Sequence, residues 1–100
     1  MIETLYQYTT GDVDSVERIV KQDNLQINHL SLVEGGSVDP HTTAEAAHMI
    51  ITRGVLGLKL NDQKRKEFPV GSIVAIPENT LLDITNAGKG TMHLFVIKTE

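Results

Sequence analysis

The sequence predicts an all-β domain in which about eight short strands close as one small barrel. Two features of the composition and one spacing predict it. Val, Ile and Thr together number 28 against 5 Ala, and branched Cβ atoms lose rotamer freedom in a helix but pack well on a pleated surface. Turn-forming residues recur at Thr9 to Asp14, Gln22 to Asn24, Gly35 to Pro40, Asn61 to Gln63, Pro69 to Ser72, Pro77 to Asn79 and Asn86 to Gly90, with apolar-alternating stretches between them. The chain has 100 residues, 40% of them hydrophobic. At that length a domain buries only about two thirds of the surface its unfolded form exposes, which supports one core and no second domain.

Taken in order, the expected strands are Glu3 to Tyr8, Ser15 to Lys21, Leu25 to Glu34, Ala46 to Arg53, Val55 to Leu60, Ser72 to Ile76, Leu81 to Thr85 and Thr91 to Lys98. In Ser15 to Lys21, Val13, Val16 and Val20 also match helical spacing, and Asp12 or Asp14 could cap a helix. A strand is preferred there because the Asp23-Asn24 turn then joins it to the next run as a hairpin. In Leu25 to Leu32, alternation turns Gln26 and Asn28 one way and Ile27 and His29 the other. In Ala46 to Arg53, if Ala47 points inward then Met49 and Ile51 do too, and His48 points outward. Along the last strand His93, Phe95 and Ile97 share a face. Lys64-Arg65-Lys66-Glu67 reads as a solvated hairpin tip. Repeats, low-complexity segments and linkers are absent.

The composition excludes much chemistry. With no cysteine there is no disulfide, zinc-thiolate site, iron-sulfur cluster or thiol nucleophile, which points to the cytoplasm. No apolar run reaches the ~18 residues of a membrane helix, and the start of the chain lacks the basic region and apolar core of a signal peptide. Lys+Arg total 9 against 13 Asp+Glu, a net charge of -4, so neither a nucleic acid nor a membrane is the expected partner. Residues 1–50 carry net -6 and residues 51–100 net +2. In one compact domain those halves face each other, or they pair across a homodimer. No Ser stands in a G-x-S-x-G setting, and no glycine loop could cradle a phosphate.

Two spacings carry more information. Gly35 is followed by five residues, His41-Thr42-Thr43, three residues, Ala47, six residues and Gly54. Sixteen residues later, Gly71 leads through five residues to Pro77-Glu78-Asn79, then two residues, Leu82, three residues and Asn86. These resemble the two signature motifs of the cupin superfamily over about residues 25 to 98. The resemblance implies a small double-stranded β-barrel, or jelly roll, of two antiparallel sheets closing on one pocket, usually as a homodimer. A 100-residue barrel also benefits from covering an exposed sheet edge.

The resemblance also implies an iron, manganese or zinc centre, and here the sequence departs from it. Of the four ligand positions His41 is kept, while the second His is Thr43, the Glu is Ala47 and the last His is Leu82. A transition metal wants at least three converging imidazoles or carboxylates, so the expectation is a barrel with no metal or cofactor in the usual arrangement. A rearranged divalent metal centre of His41, His48 and His93 stays open, and His41 with His93 is the pair most expected to meet inside. The pocket candidates are His41, Thr43, Ala47, Met49, Leu82, His93 and Phe95, with Met49, Leu82 and Phe95 making the interior apolar.

Three functions follow. The leading one is a metal-free or metal-poor module that binds a small molecule or serves in sensing or regulation. The second is an enzyme on a small metabolite, using His41/His48/His93 or His41 as a general base. The third is a structural or protein-interaction domain. Asp39, two residues before His41, is placed to orient its imidazole.

Overall fold

The computed structural model describes residues 2–99. Among them run nine strands and no helix: β1 (Ser15–Gln22), β2 (Leu25–Leu32), β3 (Ser37–Thr43), β4 (Ala47–Arg53), β5 (Val55–Leu60), β6 (Lys66–Pro69), β7 (Ile73–Ile76), β8 (Thr80–Asn86) and β9 (Met92–Thr99). They form a five-stranded sheet in the order β1-β2-β9-β4-β7 and a four-stranded sheet in the order β3-β8-β5-β6. All neighbours are antiparallel.

The core follows from period-two alternation. Leu30 and Leu32, Met92 and Leu94, and Met49 and Ile51 project from the larger sheet; Leu56 and Leu58, and Leu82 and Ile84, meet them from the smaller one. Met49, Leu56, Met92 and Leu94 are wholly buried. At one end Asn86 ties three segments together: its amide nitrogen donates to the carbonyls of Leu32, Val33 and Gly90 at 2.8–3.0 Å. Its side-chain oxygen accepts from the Gly88 N–H at 3.0 Å.

Two expectations about elements are corrected. Glu3 to Tyr8 is not a strand; residues 2–14 run as a strap without regular structure, and its Tyr8 to Val13 part is fastened to the outer face of the larger sheet by side-chain and backbone contacts. Conversely β3 and β6 occupy stretches read as a turn and a hairpin tip. Both are edge strands of the smaller sheet, mostly exposed, and each contains a proline (Pro40 and Pro69). An edge strand tolerates proline because one side of its ladder needs no donor, and it has no apolar alternation to reveal it.

Candidate functional site

A cavity of about 100 Å³ opens at one end of the barrel, between β3 and β8 on one side and β2, β4 and β9 on the other. Its floor is apolar: Met49, Leu82, Ile84, Leu30 and Val96. Its rim carries His41, Thr43, Asn28 and Lys98. Alternation places the last two: Asn28 shares a face with Leu30 on β2, and Lys98 with Val96 on β9. His41 arrives by a different device. Val38 pairs with Ile84 and His41 with Leu82, so three steps on β3 match two on β8. That bulge around Asp39 and Pro40 lets Val38 and His41, an odd number of residues apart, both face the cavity.

All four positions that the motifs mark as ligand slots, His41, Thr43, Ala47 and Leu82, therefore line one cavity, together with Met49. The donor set does not fit a metal. Ala47 and Leu82 have no donor atom, and the Thr43 hydroxyl donates to the Glu45 carbonyl at 2.8 Å. That leaves one imidazole. Among the described residues no group of three His, Asp or Glu side chains is arranged to hold a metal ion. The rearranged centre is corrected as well: His48 is exposed on β4, on the face opposite Met49, while His93 is buried behind the larger sheet.

His41 is exposed, and its Nδ1 lies 3.3 Å from the Asp39 carbonyl, so the partner is the backbone rather than the Asp39 carboxylate. With Nδ1–H donating there, Nε2 faces away from the backbone, and in a neutral ring it is the nitrogen left to accept. Lys98 stands 4.0 Å from Glu45, a loose pair.

The expected meeting of His41 and His93 inside the barrel does not occur. Met92, Leu94 and Val96 are the inward residues of β9, which turns His93 and Phe95 to the outer face. There the strap covers them: the Tyr8 ring lies 4.7 Å from Phe95, edge-on, and 4.9 Å from His29. His29, 0% exposed, is also outward. Its Nδ1 is 2.8 Å from Glu17 Oε1 and its Nε2 is 3.0 Å from His93 Nδ1. His93 Nε2 lies 3.0 Å from the Gly11 carbonyl. The strap is held further by Thr9, whose N–H and hydroxyl both donate to Glu17 at 3.0 Å. Asp12 accepts from Thr91 at 2.8 Å and pairs with Arg53 at 2.9 Å. The Ser31 hydroxyl donates to the Val13 carbonyl at 2.7 Å.

These contacts perturb titration. The Thr9 N–H, then the His29 bond, holds the Glu17 carboxyl below the ordinary carboxylate range. The Thr91 hydroxyl and Arg53 do the same for Asp12. Burial pushes His93 below the ordinary imidazole range against the opposing effect of the Gly11 bond. Sequence reading missed Glu17, Tyr8 and Gly11 as partners of the histidines; the only signal was the hairpin that places β1 beside β2.

Comparison with known proteins agrees with the geometry. No family model matches the chain. An uncharacterized protein of Methanocaldococcus jannaschii is 32% identical over 99 residues, spanning 98% of this chain and 85% of that protein. The crystal structure of an RmlC-like cupin family protein with a double-stranded β-helix fold from the same organism superposes with a TM-score of 0.94 at 32% identity, covering 99% of this chain and 92% of the other. A cupin superfamily protein from Desulfitobacterium hafniense shares the fold at TM-score 0.77 and 18% identity, over 93% of this chain and 83% of its own. A cupin domain from Bordetella pertussis does so at 0.72 and 14%, over 94% and 98%. With motif glycines, Pro77 and Asn86 in the same barrel frame, and a relative of this identity along nearly the whole chain, the protein belongs to the RmlC-like cupin family.

Proposed function

We propose that the protein is a binding module that takes a small molecule into the mouth of the barrel without a metal. What supports this is the cavity itself: an apolar floor at the family's ligand slots, with His41, Asn28 and Lys98 at the rim. An empty apolar cavity of ~150 Å³ is large enough for benzene, so about 100 Å³ suits a short branched chain of roughly four to six heavy atoms. Lys98 is held only loosely by Glu45 at 4.0 Å, so the matching head group is an acceptor or an anion. The ligand class is a short-chain carboxylic acid or its amide. At most ~1.5 kcal/mol per heavy atom limits a ligand of this size to about 6–9 kcal/mol, a dissociation constant no tighter than roughly the micromolar range. Titration of metal-stripped protein with isobutyrate and with isovalerate, followed by the Met49 and Ile84 methyl resonances, should show saturable shifts. Lys98→Met should weaken isobutyrate binding by about tenfold, the scale of one charge-assisted contact. Shifts that appear only after a transition metal is added, or none at millimolar ligand, overturn the proposal.

A specific observation also favours catalysis at the same cavity: the His41 Nδ1 contact with the Asp39 carbonyl leaves Nε2 of a neutral ring free to accept a proton. If His41 is a general base, bound ligand is turned over, and His41→Gln stops turnover while the Met49 shifts remain. Self-association belongs to the same proposal. Ile2 and Leu5 of the strap and Val16 of edge strand β1 are exposed, Val16 to 77%, and a second copy is the partner that would cover them.

A further inference from the structure

We propose that Glu17, His29 and His93 form a proton-binding site that latches the strap, around Tyr8 to Val13, onto the outer face of the larger sheet. The strap is docked while the imidazole pair holds one proton beyond neutrality, and it is released when that proton leaves. The inference does not rest on the cavity at the barrel mouth, which touches His29 but none of Tyr8, Glu17, His93 or Phe95.

Hydrogen-bond direction carries it. The Gly11 carbonyl can only accept, so His93 Nε2 carries a hydrogen. Glu17 is held ionised and Oε1 already accepts the Thr9 N–H, so His29 Nδ1 carries a hydrogen as well. The 3.0 Å contact between His29 Nε2 and His93 Nδ1 needs a third. Three hydrogens on four ring nitrogens make one of the two rings an imidazolium, and its charge balances the Glu17 carboxylate. Two neutral rings would leave one of the three contacts with no hydrogen and two lone pairs opposed in a buried site, at His29 and His93 that are 0% and 4% exposed. His29 is the ring that touches the Glu17 carboxylate, at 2.8 Å, so the proposal places the added hydrogen on His29.

The other charged and titratable groups around the pair are few. Asp12 and Tyr8 face it from the strap, Arg53 from β4 and Glu17 from β1. Asp12 and Arg53 pair with each other at 2.9 Å, so their fields largely cancel at the rings. The latch therefore has two limits. As pH falls below the ordinary imidazole value, a second proton on His93 would set two cations 3.0 Å apart, and further down Glu17 itself is neutralised. As pH rises, the single shared proton leaves and one contact is lost. Docking is greatest between those limits, and release uncovers His29, His93 and Phe95.

Long-range proton–nitrogen spectra of the histidine rings at about pH 7 test the proton count directly. The expected pattern is N–H at both nitrogens of His29 and at Nε2 alone of His93. On raising the pH to about 9, still below the tyrosine range, one of these hydrogens should vanish. At the same time the Tyr8 ring resonances should move toward their free values. Glu17→Gln supplies the second arm. A glutamine amide nitrogen in the place of Oε1 can donate to His29 Nδ1, so two neutral rings then complete the three ring contacts, while the Thr9 N–H loses its acceptor; the variant should show two ring N–H groups, and its Tyr8 shifts, whatever their values, should not change between those pH values. Two neutral rings in the unmodified protein near neutral pH overturn the inference, and so do Tyr8 shifts that stay put while the proton leaves.

Discussion

Asn86 shows how much of this fold can depend on one side chain. Its amide reaches three carbonyls, from the end of β2 and from the β8–β9 loop, and its oxygen takes an N–H two residues on. Asn86→Asp exchanges the donor for a second acceptor and sets a carboxylate against three carbonyl oxygens. The expected loss is about 2–3 kcal/mol, the cost of unmade buried hydrogen bonds, read as a shift in urea midpoint with little change in slope. A loss below about 0.5 kcal/mol would mean that water replaces the amide without penalty. His41 and His93 illustrate the opposite case. Their residue type suggested a shared role, yet one lines the cavity and the other sits beneath the strap, because inward and outward positions alternate along β9.

At the scale of the element, irregularities in strands place the site. The β3 bulge turns His41 to the cavity. In the β1–β2 hairpin, Lys21 pairs with Gln26 and Val20 with Ile27, but beyond Ile19 the register shifts and Glu17 faces His29. Without that bulge Arg18 would stand opposite His29, and a cation would replace the carboxylate. Glycine acts by close approach at Gly57 of β5: a Cβ there would collide with the Thr85 hydroxyl on the paired strand and lie 3.2 Å from Ala87. Gly57→Ala should destabilise the barrel by about 1–3 kcal/mol, the range for overpacking, and lower the melting temperature by several degrees. An unchanged melting temperature would show that β5 and β8 can part without cost. Gly54 acts by conformation, with φ +78 where β4 turns into β5.

For the molecule as a whole, the charge difference between the two halves of the chain is met partly within the fold. Asp12 pairs with Arg53 and Glu45 with Lys98, in each case an acid of the first half with a base of the second. The proposed self-association would have to rest instead on exposed apolar side chains such as Ile2, Leu5 and Val16. Light scattering at micromolar concentration should give twice the 11.0 kDa chain mass. Val16→Glu should return it to the monomer if Val16, which also borders the cavity, is covered by the second copy, since a charge buried there would be uncompensated. A monomer mass for the unmodified protein removes the dimer from the proposal. Among the described residues no helix is long and apolar enough to cross a membrane.

The barrel was legible in the residues because its signals are local. β-branched excess, alternation and turn spacing mark the buried strands, and the motif glycines, Pro77 and Asn86 mark the turns that join them. The departures at Ala47 and Leu82 were legible for the same reason, since a side chain without a donor atom cannot ligate wherever it lies, and the neutral hydroxyl of Thr43 is a poor ligand for a transition metal. Edge strands β3 and β6 were not, because exposure removes the alternation that reveals a strand. The strap's course was hidden too, because it is held by contacts between residues as far apart as Gly11 and His93. Which histidines share an environment depended on bulges and on pairing between distant strands. One residue of register moves a side chain from the cavity to the outer face, and only the assembled sheets settle that register.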